Sequence, residues 1–313
     1  MNIVETFELS KQYKDNFAVD HISIAVPSGV KCGFLGKNGA GKTSTIKMLT
    51  GLKRPTSGKY KIMGQEQAFG TRNLAVGYLP DVPNFYGYMN ATEFLDLCGN
   101  LCGIPTQKRK EQIKRLLKQV GLEKVKKRIS TYSRGMKQRL GVAQSLINSP
   151  SLVFMDEPVS ALDPMGRRDV MDIIQDLKDI TVVFSTHILA DVEETCDYIL
   201  IIEKGKVLVQ ESLQGLRERH AENKAYIEFY EESHLEKAKE AAKSVDKFIV
   251  DSPNPLELIV ASDTLDVTDI SQKVGDILGK LNQPFKSFKT HTPTLEEIFY
   301  KSIDETKGVA KNA

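Results

Sequence analysis

Short apolar runs, each closed by glycine, proline or acidic residues, alternate along the first two thirds of the chain with longer stretches of helical spacing. The short runs are expected to be buried strands and the longer ones amphipathic helices. Residues 30–35, bounded by Gly29 and Gly36, predict a buried strand, and residues 43–49 the first turns of a helix. Residues 1–9 and 17–26 carry β-branched and aromatic residues and read as strands, with Tyr13 in the polar turn between them. Further strands are expected at 58–63, 75–79, 152–155 and 180–184, and a hairpin at 198–202 and 206–209 about Lys204-Gly205. Helical spacing marks 91–101, 107–120, 132–148 and 166–177, and in the second of these Ile113, Leu116, Leu117 and Val120 form one stripe. Residues 81–89, rich in Pro, Gly, Asn and Tyr, form a loop.

After residue 216 the pattern changes. Residues 217–224 are charged without apolar periodicity and read as a linker. Beyond them short strand candidates (226–230, 247–250, 257–260) alternate with helical ones (235–242, 267–278, 294–302), which predicts a small α+β domain over 225–304. Residues 305–313 are expected to be a frayed tail.

Composition narrows the class. With 313 residues, 41% hydrophobic and 27% charged, the chain suits one large and one smaller solvated domain. A net charge of +2 offers no whole-chain argument for nucleic acid. No apolar run approaches the roughly 18 residues needed to span a bilayer. Mixed charges within residues 1–16 do not suit a secretory signal, so a cytosolic chain is expected. Cys98 and Cys102 share one helical face with no further Cys or His nearby, which favours reduced thiols over a metal site. Cys32 and Cys196 read as small core residues. Ten Lys/Arg face only Glu111 and Glu123 within 108–128. No aromatics interleave them for base stacking, so a solvated helix face is preferred there to a nucleic-acid or lipid patch.

The chemistry begins at Gly36-Lys37-Asn38-Gly39-Ala40-Gly41-Lys42-Thr43, which fits the phosphate-loop pattern G-x-x-x-x-G-K-[ST] at every fixed position. A strand, a glycine-rich loop and a helix point backbone N–H groups and a helix N-terminus at an anion. In such a loop Lys42 reaches the β- and γ-phosphates, and the Thr43 hydroxyl ligates Mg²⁺. Asp156 and Glu157 follow a four-residue apolar run, at the strand end where parallel sheets bind ligands, and suit metal and base roles. His187 follows the next apolar run and arrives at the same sheet edge. Ser133 suits a helix N-cap.

Taken together, residues 2–215 resemble the ATP-binding subunit of an ABC transporter. Gly36 to Thr43 matches the family's phosphate loop, and the apolar run ending in Asp156-Glu157 its second nucleotide motif. Ser160-Ala161-Leu162-Asp163 matches the D-loop, and His187 the switch histidine. Tyr132-Ser133-Arg134-Gly135-Met136 occupies the signature position, where only Ser133 and Gly135 keep the common Leu-Ser-Gly-Gly-Gln. This variant is similar to the branch whose ATPases pair with ABC-2-type permeases. Asp81 stands where the Q-loop carries Gln. The end of the chain, through Thr294-Leu295-Glu296-Glu297-Ile298-Phe299, resembles the accessory C-terminal domain of drug- and antibiotic-export ATPases.

The resemblance implies an α/β P-loop NTPase core over 1–216, with antiparallel β and helical subdomains (the latter about 85–150), plus the small α+β domain. It implies ATP and Mg²⁺ as cofactors. Gly36, Lys37, Asn38, Gly39, Ala40, Gly41, Lys42, Thr43 and Ser44 would hold the nucleotide, with Tyr13 stacked on adenine. Thr43, Asp156 and Asp81 would serve the metal, Glu157 would be the general base, and His187 would contact the γ-phosphate. Ser133 and Gly135 of one chain would cap the nucleotide of another, in a homodimer or a heterodimer with a paralogue. ABC-2-type permease subunits would dock near residues 81–101, placing the chain on the cytoplasmic face of the membrane as part of an exporter of drugs, antibiotics or peptides, with no nucleic acid expected. Two other readings stay open: a soluble ABC ATPase acting on ribosomes or nucleic acid, and an ATP-gated regulatory module with little turnover.

Overall fold

The computed structural model describes residues 1–71, 73–160, 162–220, 223–290 and 294–298. Two compact units divide at Leu213 and Gln214. The first opens with β1 (Asn2–Tyr13), β2 (Asn16–Ile22), β3 (Ala25–Pro27), β4 (Lys31–Leu35), α1 (Lys42–Leu49), β5 (Ser57–Ile62), β6 (Gln65–Glu66) and β7 (Val76–Leu79). Three helices follow, α2 (Ala91–Leu101), α3 (Thr106–Gln119) and α4 (Arg134–Ser145). Then come β8 (Leu152–Met155), α5 (Pro164–Gln175), β9 (Thr181–Thr186), α6 (Leu189–Thr195), β10 (Tyr198–Glu203) and β11 (Lys206–Ser212), after which α7 (Leu213–His220) belongs from Gln214 onward to the second unit.

The central sheet has the order β11-β10-β4-β9-β8-β7, parallel from β10 to β7 with β11 antiparallel at one edge. Every residue of β4, β8 and β9 is buried, which is why their sequences read as continuous apolar runs. A second, antiparallel sheet runs β2-β1-β5-β6, with β3 also on β1. Ile46 and Met48 of α1 join a core cluster that draws Val4 and Ile62 from one sheet and Phe34 and Phe154 from the other. The phosphate-loop helix is thus clamped by both sheets, and the carboxyl ends of β4, β8 and β9 open on one edge.

Capping explains where the helices start. Asn90 accepts from Glu93 N and the Glu93 side chain returns to Asn90 N, a reciprocal box at the head of α2. Asp163 caps α5 ahead of Pro164.

Several sequence expectations need correction. Tyr13 is not in the turn but ends β1, paired with Asn16, because register shifts let β1 serve several partners along its length. Arg109 does not belong to the solvated face. It is buried, with Nε donating to Asp96 Oδ1 at 2.6 Å and Nη1 to the Ile104 carbonyl at 2.9 Å. The expected linker at 217–224 is helical as far as His220, since Leu213 and Leu216 give α7 a buried side that the charged residues conceal. Ala221 and Glu222 of that linker, Ala161 of the D-loop, Phe299 onward in the last helix, and the tail at 305–313 lie outside the described residues.

The second unit runs β12 (Lys224–Phe229), α8 (Glu232–Lys243), β13 (Ile249–Asn254), β14 (Glu257–Ala261), α9 (Val267–Leu281) and β15 (Phe285–Thr290). Its antiparallel sheet has the order β13-β14-β12-β15, so each β-α-β pair is split by a strand of the other pair, a ferredoxin-like arrangement. Alternate residues of β12, Ala225, Ile227 and Phe229, pack with Leu235 and Ala238 of α8 and with Ile270 and Val274 of α9. Both helices therefore cover one face of the sheet. Among the described residues, no helix is long and apolar enough to cross a membrane, and no cluster of His, Cys, Asp and Glu suits a metal. Cys98 is a free thiol whose burial, with Cys102 beside it, pushes it up to about 11.

Candidate nucleotide site

β4 delivers the loop from Gly36 to Gly41 to the open edge, and two of its glycines have no substitute. A Cβ on Gly36 would lie 2.4 Å from the Ile202 carbonyl oxygen. Gly41 has φ +113°, and its Cβ would lie 2.4 Å from the Ala18 carbonyl oxygen. Ala40 is buried, and its carbonyl accepts from Gly205 N at 2.9 Å, so the β10–β11 turn braces the loop. Lys37, Asn38 and Gly39 stay exposed at the tip.

The Lys42 side chain, 5% exposed, folds back along the loop. Its ammonium donates to the Gly36 carbonyl at 2.6 Å and the Lys37 carbonyl at 3.3 Å, and lies 3.3 Å from Glu157 Oε1. Thr43 Oγ1 donates to Asp156 Oδ1 at 3.0 Å. Ser185, buried in β9, donates to the same Asp156 oxygen at 2.7 Å and accepts from Glu157 N at 2.8 Å. One hydroxyl thus fixes both acids at the end of β8. Glu157 adopts φ +47°, a left-handed backbone uncommon for a side chain this large. Its other oxygen, Oε2, lies 3.0 Å from His187 Nδ1.

The segment behind His187 is anchored separately. Asp191 of α6 takes Arg167 of α5 at 2.6 Å and Thr186 at 3.3 Å, and Thr186 Oγ1 accepts from Ile188 N at 3.0 Å. Burial raises the Asp191 carboxyl above its ordinary value, and the Arg167 guanidinium only partly offsets that.

Asp81, exposed after β7, accepts from Ser160 Oγ at 2.7 Å, so its bonded partner is neither Thr43 nor Asp156. It is still near the edge: the Tyr78 phenol is pushed up to about 12 by burial, then by Asp156 and Asp81. Tyr13 is 43% exposed. Lys53 bonds its hydroxyl and sits 4.8 Å from the ring centroid, with Lys11 at 5.4 Å. Burial pushes that phenol up, but hydrogen bonds from Lys53 and Ser44 and the charges of Lys53 and Lys11 bring it below the usual value. Ser133 caps α4 by accepting from Met136 N at 3.2 Å, and Gly135 beside it has open space where a Cβ would stand. Sequence reading missed the roles of Ser185 and Lys53, and although it placed Ser160 in the D-loop match it did not foresee the bond to Asp81. Only Ser185 left a signal, a hydroxyl closing an apolar run two residues before His187.

Comparison with known proteins decides the family. The ABC transporter family model matches residues 19–160. An uncharacterized ABC transporter ATP-binding protein of Synechocystis is 38% identical over 316 residues, 97% of this chain and 85% of that protein. The chain belongs to the ABC transporter ATP-binding family. Another relative of this ABC ATPase, YxlF of Bacillus subtilis, is 45% identical over 217 residues, 69% of this chain and 72% of the relative. The bacitracin transport ATP-binding protein BcrA of Bacillus licheniformis is 39% identical over 233 residues, 72% of this chain and 74% of that protein. A solved ATP-binding subunit of an ABC transporter superposes with a TM-score of 0.63 at 29% identity, covering 69% of this chain and 92% of that one. The ABC ATPase is accordingly an ATP-hydrolysing subunit of a family whose members dimerise and work with transmembrane permeases.

Proposed function

We propose that this subunit powers export of an antibiotic-like peptide or drug, with Glu157 as general base and His187 as its partner at the γ-phosphate. The observation that carries the catalytic part is the connected set Lys42, Thr43, Asp156, Ser185, Glu157 and His187 at the carboxyl ends of β4, β8 and β9. The export part is supported by the similarity to bacitracin transport ATP-binding proteins.

Mg²⁺ fits the donors: a hydroxyl and a carboxylate 3.0 Å apart are hard oxygen ligands. Thr43 and Asp156 would hold it, and Asp81, once released by Ser160, would add a second acidic oxygen. When bound, the ion neutralises charge on the β- and γ-phosphates. Lys42 exchanges Glu157 and the loop carbonyls for phosphate oxygens. Glu157, freed from that ammonium, polarises the attacking water. While His187 donates from Nδ1 to Glu157, a neutral ring has no proton on Nε2. His187 therefore engages a phosphate oxygen as imidazolium, or by giving up the Glu157 bond. Tyr13 stacks on the adenine. Ser133 and Gly135 of a second ATPase chain, identical or paralogous, complete the site. That closure drives ABC-2-type permease subunits at the cytoplasmic face.

The test is copurification. Tagged Glu157→Gln chain is solubilised from native membranes with Mg-ATP, and its partners are identified by mass spectrometry. A stoichiometric multi-span protein is the expected result. Ribosomal or nucleic-acid material without a membrane protein would overturn the reading.

A further inference from the structure

Charge is strongly segregated in this chain. Residues 108–128 carry a formal +8, ten basic against two acidic residues, whereas the whole chain carries +2, leaving −6 on the remainder. The structure sorts these groups. Arg109, Ile113, Leu116 and Leu117 form the buried side of α3. Lys108, Lys110, Lys114, Arg115 and Lys118 are exposed, and at 100° per residue they span the side opposite that buried stripe. The only acid among them, Glu111, is tied to Gln107 at 3.0 Å. The turn after α3 adds exposed cations at 124, 126, 127 and 128, one of which, Lys127, lies over the Tyr132 ring at 6.0 Å. Nine exposed cations, against the exposed acids Glu111 and Glu123, thus lie along the flank made of α3 and the turn after it, while the single buried one, Arg109, is held by Asp96.

We infer that this flank docks onto the anionic headgroups of a phospholipid bilayer. The flank offers diffuse, long-stemmed charge on a regular helix, and the cavity beside Lys110 and Lys114 also carries Glu93, Asp96 and Glu123, so the charge suits a laterally mobile anionic surface more than one small anion held in that cavity. Each Lys or Arg near such a surface adds attraction that salt screens. No exposed aromatic interleaves the cations, as base stacking on single-stranded nucleic acid would require. The preference for a membrane over a nucleic acid rests on the transporter reading above; the charge and the geometry do not.

The test uses the purified full chain and two kinds of vesicle, pure phosphatidylcholine and phosphatidylcholine with an equal part of phosphatidylglycerol. The wild type is expected to sediment with the acidic vesicles only, and to be released as salt rises from about 0.1 M to about 0.5 M. Lys114→Gln/Lys118→Gln/Lys124→Gln/Lys126→Gln should lower the partition coefficient by about tenfold or more. Gln keeps helix propensity, so the thermal melt and ATP turnover should match the wild type. Equal partition to both vesicles, or a variant that binds like the wild type, would overturn the inference. So would tighter binding to a short RNA or DNA duplex than to the acidic vesicles at the same salt. A wild type that hydrolyses ATP but ignores acidic vesicles would sink this inference alone and leave the ATPase assignment standing.

Discussion

Ser185 Oγ lies 2.7 Å from Asp156 Oδ1 and also receives the Glu157 N–H, so one buried hydroxyl sets the positions of two neighbouring acids. Ser185→Ala would leave an acceptor and a donor without that partner, at a cost of about 1–3 kcal/mol. ATP turnover is expected to fall about tenfold or more through kcat, with KM less affected, because Lys42 and the loop are untouched. Steady-state kinetics beside a thermal melt separates this positioning effect from simple loss of fold.

Glu157→Gln keeps the shape but removes the carboxylate proposed as the base. Turnover should drop by about 10²–10⁴ while ATP still binds. The variant also ends the charge pairing with Lys42. Unchanged turnover in the variant would remove Glu157 from the mechanism.

Tyr13→Ala should weaken ATP binding by about tenfold, the size of one lost aromatic contact. Tyr13→Phe should retain most of the affinity, since the proposed stacking needs only the ring. Equilibrium binding of a fluorescent ATP analogue distinguishes the two. Equal affinity in all three proteins would show that the ring does not meet the base.

Asp191 gives a pH signature. Its carboxyl is raised from 3.8 by burial, so the folded chain holds this proton more tightly than the unfolded chain does. Its contribution to stability is full below 3.8 and is lost as pH rises through the raised value. Urea melts across acid pH should show that loss in the wild type relative to Asp191→Asn, where the difference disappears.

Arg109→Met should destabilise the α2–α3 pair by about 1–2 kcal/mol, less than for a fully enclosed ion pair because Asp96 remains half in solvent. A lower melting temperature with ATP affinity unchanged is the expected pattern.

What the sequence disclosed divides by physical range. The buried parallel strands were legible because burial on both faces leaves an uninterrupted apolar run, as in Leu152–Met155. The phosphate loop was legible because its backbone needs glycine at fixed points. Arg109 was not, since a charged residue among nine exposed neighbours reveals its burial only through Asp96, 13 positions away. Likewise the bond that Ser160 makes to Asp81, 79 positions distant, could not be read from its place in the D-loop match. β15 escaped because Phe-Lys-Ser-Phe-Lys-Thr, a largely exposed strand, lacks strict alternation.

The Asp81–Ser160 bond is a latch between the chain leaving β7 and the chain leaving its neighbour β8. Asp81 begins the irregular stretch that ends at the Asn90 cap of α2, and Ser160 stands three residues beyond Glu157. Ser185 rather than Ser160 holds the Glu157 N–H, so a pull on residues 81–90 that broke this bond would reach the chain just beyond Glu157 and leave the serine beneath that acid in place.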